Sequence, residues 1–143
     1  MERRNISSGS RFEEEGGYSR VVVVGPWVML SGCSGFDSAT GDISIDVAQQ
    51  TEQTFRNIEA ALAAAGASMG DVVRLSLILK DSADYPAVTP ILRRHLANVR
   101  PTPTAWQAPL MDKRMKVEIE VTAYRFGNGK NGGVSGGNGH GQS

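Results

Sequence analysis

The stretch Met115-Lys-Val-Glu-Ile-Glu-Val-Thr-Ala-Tyr-Arg125 constrains the fold more than any other part of this chain. Branched apolar residues alternate with polar ones, so Val117, Ile119, Val121 and Ala123 share one side of a strand, and Lys116, Glu118, Glu120 and Thr122 the other. Such a strand is buried on one face only. It sets two carboxylates, Glu118 and Glu120, side by side, about 7 Å apart by the strand repeat. One is placed to meet a ligand and the other a basic partner, and a solvated polar face is the plainer reading of both.

With 143 residues, 40% of them hydrophobic, the chain suits one domain with a real core. Fifteen basic and fifteen acidic residues cancel, leaving no electrostatic footprint for nucleic acid or an anionic membrane surface. The single Cys33 cannot close a disulfide within the chain, and no apolar run is long enough to span a bilayer. A reducing, cytoplasmic setting is expected, with neither nucleic acid nor membrane as a partner.

Residues 1–17 are polar, with Glu13-Glu14-Glu15 ahead of Gly16-Gly17, and read as a loop. A single domain is expected over 18–126. It opens with a hairpin of Ser19–Val24 and Trp27–Ser31 about Gly25-Pro26, whose apolar runs suggest burial on both faces. Asp46 caps a helix carrying Val47, Thr51, Phe55, Ile58 and Leu62 at helical spacing, and Gly66 stops it. Val72–Leu79 alternates as a third strand, with Val73, Leu75, Leu77 and Leu79 on one face. A second helix runs from near Asp84 to Val99 with Pro90 inside it, Thr104–Ala108 is a fourth strand, and the opening stretch is the fifth. The order β-β-α-β-α-β-β predicts an α+β fold, a mixed sheet with two helices packed on one face. The other face then carries too much apolar surface for water, which points to self-association. Residues 127–143, rich in Gly, Asn and Ser, are expected to form a flexible tail.

Candidate chemistry is sparse. One Cys, His95 and His140 cannot make a metal site, and Gly32-x-x-Gly35 lacks the lysine of a phosphate loop, so neither metal nor organic cofactor is expected. Cys33 has no base beside it in the sequence and reads as a packed thiol. Trp27 and Trp106 are core or interface aromatics unless one lines a pocket. A pocket built from a loop, a strand end and a glutamate remains.

Several pieces in unbroken order resemble one family, the Rid (reactive intermediate deaminase, YjgF-like) proteins, also labelled endoribonuclease L-PSP-like. They include Gly17-Tyr18-Ser19, Val28-Met29-Leu30-Ser31-Gly32, Asp37-Ser38-Ala39-Thr40-Gly41, Phe55-Arg56-Asn57-Ile58-Glu59-Ala60-Ala61-Leu62, Lys80-Asp81, Arg100-Pro101 and Lys116–Val121. The similarity runs from about Asn5 to Arg125. It implies a chorismate-mutase-like fold assembled as a homotrimer around a central barrel, with ligand clefts between subunits. It also implies a small-molecule substrate, an enamine or imine hydrolysed to a 2-oxo acid and ammonia without a cofactor.

Carried over by position, the resemblance makes Tyr18 and Glu118 the catalytic candidates and Ser31-Gly32, with Cys33 beside them, the substrate loop. The family's Pro-x-Arg-Ser falls on Pro101-Thr102-Pro103-Thr104, so Pro103 stands where an arginine would grip the substrate carboxylate, and Ala105 where many members have a cysteine. Pro103, Thr104, Ala105, Trp106 and Arg114 are therefore binding candidates as pocket neighbours of an altered clamp. The chain is similar to subgroups that lack the deaminase arginine. Arg20, Arg74, Arg100 and Arg114 are all candidates to replace it, and the sequence does not choose among them. The expected activity is hydrolysis of an enamine, imine or related reactive metabolite of altered class. The alternative is a non-catalytic, metabolite-binding or chaperone-like module, and RNA cleavage fits the neutral charge poorly.

Overall fold

The computed structural model describes residues 2–127. Its centre is the strand anticipated from alternation, here β6 (Val117–Tyr124), with Val117, Ile119, Val121 and Ala123 almost wholly buried. On one side β6 pairs antiparallel with β4 (Val72–Leu79), and on the other with β3 (Trp27–Leu30). The hairpin partner β2 (Val21–Val24) follows β3 across a two-residue turn in which Gly25 takes φ 57°, as a glycine in the first central position of such turns does. At the far edge β5 (Thr102–Gln107) lies parallel to β4, making the sheet mixed.

Two long helices cover one face. In α2 (Val47–Ala64) the Asp46 carboxylate accepts from the Gln49 N–H at 3.0 Å, and Phe55, Ile58 and Leu62 are fully buried over β3 and β6. Each contributes about 1.5–3 kcal/mol by leaving water. The chain leaves the helix through Gly66, whose φ of 72° suits glycine. Against α2 packs α3 (Tyr85–Leu96), with Val88 and Ile91 buried and Pro90 inside it. It ends three residues before the expected Val99.

The opening segment corrects the expectation of a loop over residues 1–17. Arg3–Ile6 forms β1, antiparallel to β2 at the sheet edge, and Arg11–Gly16 forms a short helix, α1, capped by Ser10. An edge strand with one solvated face needs no apolar run, so polarity concealed it. The complete sheet order is β1-β2-β3-β6-β4-β5. Two smaller corrections follow from register. A bulge between Val72 and Arg74 puts Val72, rather than Val73, on the core side of β4. β5 begins at Thr102, and Pro103 is tolerated there because the strand is an edge.

The hairpin does not have two covered faces in the single chain. Val21, Val23, Val28 and Leu30 lie in the core, whereas Trp27 is 44% and Met29 37% exposed on the side away from the helices. Among the described residues no helix is long and apolar enough to cross a membrane. The expected tail lies outside the described residues apart from Gly127.

Candidate functional site

Beyond Leu30 the chain leaves the β3 ladder, crosses Ser31 and Gly32, and rejoins β6 at Cys33, which exchanges two 2.8 Å backbone hydrogen bonds with Ile119. Polar side chains of α2 fix this loop. Asn57 Nδ2 donates to the carbonyls of Ser34 (2.9 Å) and Phe36 (2.8 Å). Gln50 Nε2 donates to the carbonyls of Ser44 (2.6 Å) and Arg114 (2.8 Å), while its Oε1 accepts from the Lys116 N–H at 2.8 Å, two residues before Glu118. Loop and strand are thus held from the same helix.

The loop passes so close to β6 that a Cβ added at Gly32 would overlap the Glu118 carboxylate. Only glycine leaves that carboxylate where it is. Glu118 is half-buried and makes no hydrogen bond or ion pair with any described residue. Burial raises its pKa above the usual glutamate value, the positive charge of Arg20 opposes the rise, and Glu120 adds to it. A carboxyl of this kind exchanges protons nearer to neutrality than an exposed one. Glu120 is exposed and has no ion-pair partner among the described residues, contrary to the expected basic partner.

Arg20 stands beside this corner. Its Nη1 donates to the Gly32 carbonyl at 2.7 Å and lies 3.4 Å from the Ser31 carbonyl and 3.5 Å from Cys33 Sγ. Its backbone is equally fixed, the N–H donating to Glu13 Oε1 (2.9 Å) and the carbonyl accepting from the Ser31 N–H (3.0 Å). Cys33 is buried, and burial pushes its thiol pKa up against the opposing charge of Arg20. It is therefore a neutral thiol packed in the core, where its Sγ lies 3.6 Å from the Ser31 carbonyl.

Glu13 is the residue that sequence reasoning missed. It is 3% exposed and accepts from the Ser8 hydroxyl, the Ser8 N–H and the Arg20 N–H. Burial raises its pKa, but these hydrogen bonds together with the charge of Arg20 outweigh that and leave it lowered. The spacing Ser10-x-x-Glu13 was the available signal, a pattern that often opens a helix. Glu13 also accounts for the posture of Tyr18, whose N–H donates to the Glu13 carbonyl at 2.9 Å and whose ring lies over Gly16. Tyr18 is 43% exposed, and its hydroxyl bonds no described residue.

The remaining candidates do not join this cluster within one chain. Pairing of β5 with β4, and of β4 with β6, aligns Trp106 with Ile78 and Glu118, and Thr104 with Ser76 and Glu120. Thr104 and Trp106 therefore share the open face with the glutamates, but two strands away, and Trp106 is 59% exposed. Pro103 and Ala105 align with Leu75 and Leu77, on the opposite face. Arg114 is engaged elsewhere: it grips Asp112 through Nε (3.1 Å) and Nη2 (2.9 Å) and lies 5.1 Å from the centre of the Phe36 ring. Those hydrogen bonds hold the Asp112 pKa at about 2. An open polar cleft lined by Lys80, Asp81, Asp84, Gln107 and Lys116 contains none of the expected site residues.

A family model described as endoribonuclease L-PSP matches residues 8–125. The chain belongs to that family, the Rid or YjgF-like proteins. Among its relatives is the human 2-iminobutanoate/2-iminopropanoate deaminase, 31% identical over 124 residues that cover 86% of this chain and 90% of that one. Among solved Rid-family structures, a YjgF/YER057c/UK114 member from Mycobacterium tuberculosis superimposes with a TM-score of 0.79 at 35% identity, covering 86% of this chain and 99% of that one. RidA from an Antarctic Psychrobacter gives 0.73 at 32% identity, covering 84% and 93%. The mixed sheet with two main helices is the fold of this family.

Proposed function

We propose that this Rid-family protein hydrolyses an enamine or imine derived from a small metabolite, in a cleft completed by a neighbouring subunit of a homotrimer. The observation that carries the reading is Glu118, half-buried, raised in pKa, lying close against Gly32 and left without a partner among the described residues. The kinship with an iminobutanoate deaminase supplies the reaction class.

The chemistry follows from that carboxylate. Glu118 takes a proton from water as the water oxygen bonds to the imine carbon, and the C=N electron pair moves to nitrogen. The proton then passes to the nitrogen of the carbinolamine, the C–N bond breaks to release ammonia, and the hydroxyl proton moves to that ammonia as the carbonyl forms. An iminium and a water become a carbonyl and an ammonium. Tyr18 and the Ser31-Gly32 backbone shape the cleft, and no step calls for a metal or an organic cofactor.

Association is supported by the open sheet face, where Trp27 and Met29 sit beside half-buried Val22 and Val24. The separation of Pro103 from Glu118 within one chain also favours a shared cleft. The balanced charge gives no support to RNA cleavage, and the single buried thiol suits a reducing cytoplasm.

The test supplies freshly generated imines from an amino-acid oxidase and follows ammonia. Acceleration is expected, and none across a broad panel that includes uncharged imines overturns the hydrolase reading. In the same preparation, a sedimentation mass of one chain removes the shared cleft from it. A second reading, a metabolite-binding module without turnover, is favoured by Pro103 alone, because a proline carries no cation. Thermal stabilisation by 2-oxo acids with no ammonia release would support it.

A further inference from the structure

Arg20 and Glu118 are opposite charges at one corner of the sheet, and neither satisfies the other. The charge of Arg20 acts on Glu118, yet no ion pair forms between them. Arg20 uses Nη1 on the Gly32 carbonyl, and its Nε and Nη2 donate to no described residue. Partly desolvated charges that do not pair are costly to keep. The Arg20 backbone is tied to Glu13 and Ser31 and its guanidinium to the Gly32 carbonyl, while the missing Cβ of Gly32 leaves the Glu118 carboxylate room beside the loop. The two unmet groups suit a ligand with an anionic end for the guanidinium edge and an N–H for the carboxylate. A 2-imino acid has both.

We propose that Arg20 binds the substrate carboxylate, supplying from the α1–β2 segment the cation that position 103 lacks. The inference rests on the hydrolase reading and narrows it, because the substrate then keeps its carboxylate. Among the other arginines, Arg114 is bound to Asp112, whereas the guanidinium of Arg20 is anchored at one end, with the Nε–Nη2 edge free for a bidentate pair.

The experiment compares kcat/KM for 2-iminobutanoate with that for an uncharged imine of the same carbon skeleton. In Arg20→Gln, which keeps a donor for the Gly32 carbonyl but loses charge and fork, the carboxylated-to-uncharged ratio should fall about 10–100-fold, mainly through KM. Arg20→Lys, which keeps the charge and loses the fork, should fall less, and it carries the test if the glutamine variant does not fold. A ratio unchanged in the folded variant, or a wild-type preference for the uncharged imine, overturns the assignment. Should the wild type hydrolyse no imine at all, the hydrolase reading falls and binding decides Arg20 separately. Millimolar 2-oxobutanoate should then raise the thermal midpoint of the wild type and not of the variants. An equal rise in all, or none in the wild type, rules Arg20 out.

Discussion

Gln50 and Glu118 are both polar side chains at the same end of the sheet, and they are treated in opposite ways. Gln50 is fully buried and engaged by both its amide and its carbonyl, with the backbone of Ser44, Arg114 and Lys116. Glu118, two residues past Lys116, has no partner at all among the described residues. Saturated polar groups deep in a protein hold its parts together, whereas an unsatisfied one in a fixed position is available to something that arrives from outside. The contrast makes different forecasts for the two residues. Gln50→Leu keeps roughly the volume but strands three backbone groups, so it should lower unfolding stability by about 3 kcal/mol and the thermal midpoint by roughly 10 °C. Urea unfolding measures this. A loss below about 1 kcal/mol would show that the loops on either side do not depend on Gln50.

Gly32→Ala probes the other half of the comparison. The new methyl group would overlap the end of the Glu118 side chain, which is flexible and can turn away. Stability should therefore change little, by under about 1 kcal/mol, while imine turnover falls about 100-fold because the carboxylate has left its place. Steady-state rates and a thermal melt on the same sample separate the two effects. A variant that melts early and still turns over normally would reverse the roles assigned to the two residues.

How much of this could be read beforehand differs by element, and the reason is the range of the forces involved. The alternation in β6, that in β4 from Leu75 onward, the Asp46 cap and the apolar stripe of α2 are local patterns, and each is found where it was expected. The edge strand β1 and helix α1 were concealed because neither needs an apolar run, and Glu13 was hidden within a run of three glutamates whose other two members are exposed. Glu118 could be singled out by its place on the strand, but the closeness of Gly32 comes from the Cys33–Ile119 bridge, a contact 86 residues apart by those numbers. Arg20 was indistinguishable from Arg74, Arg100 and Arg114 for the same reason: its position is set by Gly32 and Glu13, not by its neighbours in sequence. Pro103 carries no cation, as any proline does, and only strand register shows that it faces away from Glu118 in its own chain.

The smallest effect concerns the cost of keeping Glu118 unpartnered. Burial is the main cause of its raised pKa, with Arg20 opposing and Glu120 reinforcing, so the folded chain holds the proton more tightly than the unfolded one. Below the ordinary glutamate value both states are protonated and the residue favours neither. Above the raised value both are ionised, and folding then bears the full cost of the buried charge. Stability is thus lost as pH rises through the window between the two values. Glu118→Gln removes the charge while keeping the shape, so it should melt about 2–4 °C higher than the wild type at pH 8, on the order of 1 kcal/mol, with the gain vanishing near pH 4. Turnover should fall in the same variant. Gain of stability joined to loss of activity is the signature of a group retained for chemistry, and a variant less stable at pH 8 would instead place Glu118 beside Gln50 as a structural residue.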